Sequence, residues 1–260
     1  MNVTGKHVLV TGAASGIGRA TAVELAKRGA RLSLVDIDAR RLEETRRLLP
    51  TDATVYEVDI ADADAVTAFA EAVPPVDILV NNAGVAVVAP FAETSAEDWA
   101  WMAGVNLFGP LRLTRALLPS MIARGSGHLV FVASLGGLIA APKMTLYSTT
   151  KFAIVGFGEA LRLELAGTGV DVTVVCPGYV RTGLHAATRY GDEAFRRFLD
   201  RPPRWYGMES DDVAEALADA VEQRRALVVL GPERVGWWLK RLAPEVAFAV
   251  SRFVARHTVA

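Results

Sequence analysis

A tyrosine and a lysine spaced four residues apart are the side chains of this sequence best suited to proton transfer. On a helix, Tyr147 and Lys151 lie on one face, about one turn apart. A phenol has a pKa near ~10, and a fixed ammonium beside it favours the phenolate and lowers that pKa. The positive end of the helix dipole acts in the same direction near a helix start. The spacing therefore indicates a general acid/base pair.

A serine upstream of this pair could hold a substrate oxygen. Ser134 follows an apolar run over 128–133, which predicts a buried strand. A hydroxyl at the carboxyl end of such a strand can bond to a carbonyl or alcohol oxygen. By themselves, however, Tyr147 and Lys151 are more often an exposed tyrosine and a solvated lysine. Whether these residues form a site therefore depends on the helices and strands that position them.

The order of segments predicts an α/β fold. The chain has 260 residues, 52 % of them hydrophobic, which suffices for one sizeable core. Strand-like and helix-like segments alternate without a short fixed repeat, which is typical of βαβ units around a parallel sheet. We therefore expect a single α/β domain.

Charge and cysteine content exclude some kinds of partner and cross-link. The formal net charge is −1, so no overall basic field attracts nucleic acid or an anionic membrane. Cys176 is the only cysteine, so an internal disulfide is impossible, and we expect it to be a small buried apolar residue. Residues 1–6 lack the apolar core of a signal peptide, and no charge-free apolar run reaches the ~18–20 residues of a membrane span. We expect a cytoplasmic protein, and the four scattered histidines predict no metal site.

Three glycines follow the first predicted strand, at 7–10. Gly12, Gly16 and Gly18 have the spacing G-x-x-x-G-x-G between this strand and a helical pattern. Glycine at such a turn lets backbone N–H groups approach a pyrophosphate at a helix N-terminus. Glycines in a turn between a strand and a helix can equally serve only to avoid steric clashes. This motif alone therefore does not distinguish a nucleotide-binding turn from a purely structural one.

A carboxylate at the end of the second predicted strand favours a dinucleotide. Asp36 follows the strand at 31–35, about twenty residues beyond the glycines, where a carboxylate bonds an adenosine ribose hydroxyl. Such a carboxylate repels a 2′-phosphate, and Ile37 offers no compensating charge. We therefore expect NAD rather than NADP, although Arg40 or Arg41 could swing back, and Asp36 could instead cap the following helix.

Polar residues also end the next two predicted strands. Asp59 closes the strand at 53–58, and Asn81-Asn82-Ala83-Gly84 follows the strand at 76–80. Side-chain amides at that edge could line a cofactor cleft or tie a turn. The pattern alone does not distinguish these alternatives.

Taken together, these motifs make the chain resemble the short-chain dehydrogenase/reductase family, because they occur in the same order and at the same spacings as in that family. They are Thr11 to Gly18, Asn81 to Gly84, Ser134, Tyr147 and Lys151. The resemblance covers about residues 5–230. It implies a Rossmann-type, doubly wound parallel sheet with helices on both faces and a nicotinamide cofactor at its carboxyl edge.

The resemblance also implies individual roles. Ser134 would orient the substrate oxygen, Tyr147 would transfer the proton, and Lys151 would also bond the nicotinamide ribose. Asn106, within a predicted long helix at 98–123, would hold a water that joins Lys151 to solvent. The implied cofactor-binding residues are Gly12, Ser15, Gly16, Ile17, Gly18, Asp36, Asp59, Ile60, Asn82, Ala83, Gly84, Tyr147, Lys151, Pro177, Gly178, Val180 and Thr182.

Two regions are not specified by the resemblance. We divide the chain into a dehydrogenase domain at 1–231, with a substrate lid at about 183–205, and an amphipathic extension at 232–260. The lid mixes aromatic and basic residues, namely Arg189, Tyr190, Phe195, Arg196, Arg197, Phe198 and Trp205. The extension forms two amphipathic pieces broken at Pro244, which could pack on the core or a subunit, or bind a membrane interface.

The sequence thus predicts an NAD(P)-dependent oxidoreductase that interconverts a small, mainly apolar secondary alcohol and a ketone. The alternative is a non-catalytic sensor or scaffold that binds the nucleotide, which would not need to keep Asn106, Ser134, Tyr147 and Lys151 together. An epimerase on the same fold is disfavoured by the glycine spacing and the short substrate region. The resemblance further implies a homodimer or homotetramer built on the long helices at 98–123 and 146–166.

Overall fold

A parallel sheet forms the centre of the computed structural model, which describes residues 1–182, 184, 188–191 and 207–258, the last five as backbone only. The strands within these ranges are β1 (His7–Thr11), β2 (Arg31–Asp36), β3 (Ala53–Glu57), β4 (Ile78–Asn81), β5 (Ala86–Val88), β6 (Gly127–Val132), β7 (Val170–Cys176), β8 (Thr188–Tyr190) and β9 (Leu227–Val229). Seven of them pair in the order β3-β2-β1-β4-β6-β7-β9, all parallel. This confirms the predicted Rossmann-type fold.

Helices connect the strands and cover both faces of the sheet. They are α1 (Gly16–Lys27), α2 (Ala39–Arg46), α3 (Ala63–Ala72), α4 (Ala96–Ala103), α5 (Gly109–Ala123), α6 (Thr145–Glu164), α7 (Ser210–Glu222), α8 (Arg234–Leu242) and α9 (Pro244–Thr258). Strands of a sheet covered on both faces have largely apolar sequences, as β1, β4 and β6 do. The sequence of β3, at one edge of the sheet, instead alternates.

Successive side chains of each strand pack into two separate hydrophobic layers, one on each face of the sheet. On β1, Leu9 packs with α3, α5 and α6, whereas Val8 and Val10 pack with α1 and α7. The same alternation holds on β6, where Phe131 joins the first layer and Val130 the second. Because side chains of a strand point alternately to the two faces, the sheet is fixed between the layers. Its carboxyl edge, where Ser134 and the glycines lie, is then the edge left for a site.

The predicted helix over 98–123 is interrupted. α4 ends at Ala103, a π-helical turn spans Gly104–Phe108, and α5 begins at Gly109. A π turn accommodates an extra residue, and it occurs here around Asn106, which is 1 % exposed. The carboxamide of Asn106 bonds the backbone of Val85, so the turn lets a polar side chain point inward.

A small second sheet was not predicted. β5 and β8 form a parallel pair, with Val87 opposite Arg189. β8 therefore brings part of the predicted lid against the segment that follows β4. The lid residues Phe195, Arg196, Arg197, Phe198 and Trp205 lie outside the described residues.

The extension at 232–260 contains the two predicted amphipathic pieces. α8 ends at Leu242, and α9 begins at Pro244, whose missing N–H costs nothing at the first position of a helix. Among the described residues, no helix combines the length and the apolar character that crossing a bilayer requires. The division of the chain at residue 231 remains a prediction.

Candidate active site

The turn after β1 is tight because its glycines leave no room for side chains. Gly12 has a φ of +67°, and a Cβ on it would lie 2.8 Å from the Cα of Ala83. A Cβ on Gly18 would collide with the carbonyl oxygen of Gly12. The close approach brings the start of α1, with its unpaired N–H groups, to the carboxyl edge of the sheet.

Asn82 and Thr11 hold this turn in place. The amide nitrogen of the Asn82 side chain donates to the Thr11 carbonyl at 2.9 Å. The Thr11 hydroxyl accepts the backbone N–H groups of Asn82 and Ala83, at 3.0 and 3.1 Å. The ends of β1 and β4 are thereby tied together, as one of the two alternatives for this motif predicted, and Asn82 also lines the cleft described next.

A cleft of about 540 Å³ runs from the glycine turn to Tyr147 and Lys151. The predicted cofactor residues that line it are Gly12, Ser15, Gly16, Ile17, Asp36, Asp59, Ile60, Asn82, Ala83, Gly84, Tyr147, Lys151 and Thr182. Thr182 closes over the turn, with its Cβ 3.0 Å from where a Cβ on Gly16 would lie. The structure thus brings thirteen dispersed sequence positions to one cleft.

The Asp36 carboxylate is fixed by backbone donors at the cleft wall. It accepts the N–H of Ala14 at 3.1 Å, of Ile37 at 2.8 Å and of Asp38 at 3.2 Å. It therefore does not cap α2, which Asp38 caps through the N–H of Arg41. Arg41 also lines the cleft, where it pairs with Asp38 at 3.5 Å.

Ser134 and Tyr147 meet at the carboxyl end of β6. The Ser134 hydroxyl is hydrogen-bonded to the Tyr147 phenol and accepts the N–H of Gly136 at 3.0 Å. Tyr147 lies in the first turn of α6 and is 8 % exposed, so it is a buried residue and not the surface tyrosine of the alternative interpretation. This contact can pass a proton to an oxygen bound between the two hydroxyls.

Lys151 is buried one turn further along α6. It is 5 % exposed, and its ammonium donates to the carbonyl of Val132 at 3.0 Å. Its Nζ lies 5.7 Å from the centroid of the Tyr147 ring. Burial lowers the pKa of the Lys151 ammonium to about 8.

The pKa of Tyr147 is shifted opposite to the sequence-based expectation. Burial raises it, and the hydrogen bond from Ser134 offsets only part of this effect. A phenolate is disfavoured in a low-dielectric site unless a charge faces it, and the Lys151 ammonium is directed at Val132 instead. At neutral pH, Tyr147 is therefore a protonated phenol.

Asn106 lies beneath the cleft and does not line it. Its side-chain oxygen accepts the N–H of Val85 at 2.8 Å, and its amide nitrogen donates to the Val85 carbonyl at 2.9 Å and to the Thr150 hydroxyl at 3.2 Å. Gly84 separates it from Lys151, since a Cβ on Gly84 would lie 3.4 Å from the Asn106 oxygen and 3.5 Å from the Lys151 nitrogen. Asn106 and Lys151 thus flank one point of the cleft floor.

The remaining predicted residues support the cleft from behind. The Pro177 carbonyl accepts the N–H of Leu135 at 2.7 Å, and the N–H of Gly178 donates to Leu230 at 2.9 Å. Val180 forms a backbone bridge with Met208. Together with Gly18, these residues do not line the cleft, and their contacts with a cofactor remain a prediction.

Sequence reasoning missed Trp101, which lines the cleft beside Val105. The guanidinium of Arg189 lies 4.0 Å from the centroid of the Trp101 indole and pairs with Asp98 at 2.8 Å. This arrangement depends on the pairing of β5 with β8, so a local pattern could not have found it. Arg189, whose side chain is half exposed, thus supports one wall of the cleft through Trp101 and Asp98.

Glu233 is a second feature that the sequence did not suggest. Both of its carboxylate oxygens are buried and have no hydrogen-bond partner among the described residues. One of them would collide with a Cβ on Gly178. Within the same residues, no group of three or more histidine, cysteine, aspartate or glutamate side chains could hold a metal ion.

A Rossmann-type sheet with a Ser–Tyr–Lys group at its carboxyl edge defines a dehydrogenase-like class of α/β proteins. The family model for short chain dehydrogenases matches residues 6–193. The dehydrogenase/reductase SDR family protein 7-like of Drosophila melanogaster is 34 % identical over 257 residues, which cover 94 % of this chain and 78 % of the relative. The chain therefore belongs to the short-chain dehydrogenase/reductase family.

Solved structures agree with this assignment. A crystal structure of a short-chain dehydrogenase/reductase from Burkholderia phymatum in complex with NAD superimposes with a TM-score of 0.87 at 32 % identity, over 95 % of this chain and 96 % of that one. The closed form of a serine dehydrogenase complexed with NADP+ has a TM-score of 0.79 at 29 % identity, over 86 % and 93 % of the two chains.

The lowered pKa of Lys151 predicts a pH-dependent stability. Below pH 8 the ammonium is charged in both the folded and the unfolded chain. The full free-energy cost of burying the charge then lowers the stability of the folded chain. Above pH 8 the folded chain releases a proton that the unfolded chain keeps, and stability rises with pH. Between pH 8 and pH 10, the free energy of unfolding of the wild type should gain about 2 kcal/mol relative to Lys151→Met.

Urea unfolding at a series of pH values measures this difference. Lys27→Met is the matched control, because the side chain of Lys27 is 63 % exposed, and it should follow the wild type. An equal dependence on pH in the wild type and Lys151→Met would contradict the assigned burial of the charge.

Proposed function

We propose that the protein is a nicotinamide-nucleotide-dependent oxidoreductase that interconverts a mainly apolar secondary alcohol and a ketone. One observation carries the proposal, namely that Tyr147, hydrogen-bonded to Ser134, and Lys151 line one end of a cleft whose other end is the glycine turn. Val85, Trp101 and Leu184 line the cleft and favour an apolar substrate.

The residues of the cleft fit a nicotinamide dinucleotide. The turn at Gly12 and Gly18 lets the start of α1 face the cleft, and backbone N–H groups at a helix N-terminus suit a pyrophosphate. Asp36 stands at the end of the neighbouring strand with oxygens that can accept a ribose hydroxyl. When bound, such a cofactor supplies the hydride donor or acceptor that protein side chains lack.

Tyr147 and Ser134 would carry the proton and orient the substrate. For reduction of a ketone, the protonated phenol of Tyr147 donates its proton to the substrate oxygen as negative charge develops there. The Ser134 hydroxyl donates a second hydrogen bond to that oxygen and fixes its position. For oxidation of an alcohol, Tyr147 must first lose its proton to solvent, and the phenolate then accepts the proton of the alcohol.

Lys151 would set the strength of Tyr147 as an acid. With its Nζ 5.7 Å from the centroid of the Tyr147 ring, the ammonium would stabilise the phenolate that forms after proton transfer through space, while it keeps its hydrogen bond to the Val132 carbonyl. A pKa near 8 also lets Lys151 gain and lose a proton near neutral pH. We extend the relay to Asn106, whose oxygen and the Lys151 nitrogen flank Gly84, with a water as the connecting group.

Replacing Tyr147 by phenylalanine removes the hydroxyl that donates the proton and keeps the shape of the ring. We expect kcat to fall about 100- to 10,000-fold, the usual contribution of general acid/base catalysis, with cofactor affinity retained. Absorbance of the reduced cofactor, followed with a panel of apolar secondary alcohols, measures turnover. Tyr56→Phe, a tyrosine on β3 remote from Ser134, is the control and should be unaffected. Ordinary activity in Tyr147→Phe would refute the mechanism.

We also propose a preference for NAD over NADP. The Asp36 carboxylate repels a 2′-phosphate, and the nearest cleft-lining arginine, Arg41, is paired with Asp38. A carboxylate at this place bonds the ribose hydroxyl of NAD instead.

Replacing Asp36 by asparagine tests this preference, since it removes the charge and keeps an acceptor for the backbone N–H groups. The ratio of kcat/KM for NAD to that for NADP should fall about tenfold, equivalent to about 1.4 kcal/mol. Asp59→Asn removes a charge from the same cleft next to a different strand and should affect both cofactors alike. An unchanged ratio in Asp36→Asn would exclude the assigned role.

We further propose a homodimer or homotetramer built on α5 and α6. Exposed apolar side chains accompany both helices, among them Phe108 (48 % exposed) and Leu163 (79 % exposed). Sedimentation velocity should find an oligomer that Leu163→Glu weakens, whereas Leu48→Glu on another surface does not. A monomer at all concentrations would rule out this assembly.

A further inference from the structure

α8 is fixed to the body of the protein through one face only. Trp237 packs against the layer that contains α6, and the Lys240 ammonium donates to the Leu138 carbonyl at 2.8 Å. The same ammonium lies 4.7 Å from the centroid of the Phe152 ring. These contacts determine which face of α8 turns outward.

The outward face of α8 is apolar. Val235, Trp238 and Leu242 are 70, 52 and 80 % exposed, and their spacing places them on one side of the helix. α9 packs against α8 and continues the pattern with Val246 and Val250, which are 52 and 49 % exposed. We call these five residues the apolar tail face. A helical surface of this kind normally faces a core, and here it faces outward.

Positive charge accompanies the apolar tail face. Residues 234–253 contain four basic side chains, Arg234, Lys240, Arg241 and Arg252, and one acidic side chain, Glu245, an excess of three positive charges. The whole chain has a net charge of −1, so the remainder carries the opposite sign, at −4. The three arginines are exposed, whereas Lys240 is bound to Leu138.

We propose that α8 and α9 dock on an anionic membrane surface. Amphipathic helices with leucine, phenylalanine and tryptophan beside lysine and arginine lie in the interface of such membranes, where the apolar side enters the acyl boundary and the basic side contacts headgroups. A second copy of the chain suits this surface less well, because a twofold pairing would bring two positively charged tails together. The structure thus favours the membrane among the alternatives left open by the sequence.

Flotation of the full chain with lipid vesicles tests the proposal. We expect the protein to float with vesicles of phosphatidylcholine that contain about 30 % phosphatidylserine, and at least about tenfold less with pure phosphatidylcholine, at about 0.1 M salt. Raising the salt should weaken the binding, because surface charges are then screened. This comparison of vesicles and salt concentrations uses only the wild type, so it does not depend on the folding of any variant.

Two double variants separate the contributions of charge and apolar contact. Arg241→Glu/Arg252→Glu and Trp238→Ser/Val246→Ser should each reduce binding to the anionic vesicles at least about tenfold. Arg31→Glu/Arg47→Glu makes the same change of charge elsewhere, and Leu48→Ser removes an apolar side chain that is 57 % exposed beyond α2. Both controls should bind as the wild type does, and circular dichroism verifies that every variant is folded.

Three results would overturn the proposal. The first is a folded wild type that does not float with anionic vesicles. The second is flotation that neither tail variant weakens. The third is an oligomer in vesicle-free buffer that the tail variants dissociate, with no vesicle binding by the wild type, which would assign the apolar tail face to a second copy of the chain.

Discussion

Burial of the Lys151 ammonium against the Val132 carbonyl is the interaction on which the site depends. A buried charge is costly unless it is hydrogen-bonded, so this contact fixes α6 relative to the end of β6. Tyr147 lies one turn before Lys151, and Ser134 lies two residues after Val132. A single contact between a helix and a strand therefore brings the phenol and the hydroxyl together and holds them in register.

The polar side chains around this contact are mostly engaged with the backbone. Asn82 holds the glycine turn, Asp36 accepts three N–H groups, and Asn106 bonds both backbone groups of Val85. Such bonds fix side chains before any ligand arrives, so binding need not order them. The cleft is consequently part of the scaffold, and its shape follows from how β1, β2 and β4 end.

The features predicted from the sequence are those with local causes. Apolar runs, and alternation in the strand at 53–58, predicted the strands of the sheet. Turn chemistry and helical spacing made Gly12, Ser134, Tyr147 and Lys151 candidates, and the family resemblance joined them into one predicted site. The π turn at Asn106 could not be predicted, because it depends on the distant backbone of Val85. The pairing of β5 with β8, and with it the stacking of Arg189 on Trp101, has no local signal either. The pKa of Tyr147 was expected to fall because spacing shows a neighbouring charge and does not show the depth of burial.

The extension connects the two proposed activities of the molecule in space. The inner face of α8 contacts Leu138 and Ile139, directly after the turn at Leu135–Gly137 that follows Ser134. The α8 residues of the apolar tail face, Val235, Trp238 and Leu242, lie on the opposite side of that helix. Docking on a membrane would therefore hold the substrate end of the cleft close to a bilayer, in which apolar alcohols and ketones accumulate. Membrane docking depends on surface charge and the oxidoreductase activity on proton transfer, so each proposal can fail without the other. An apolar substrate links them, because such a substrate would reach the cleft from the bilayer.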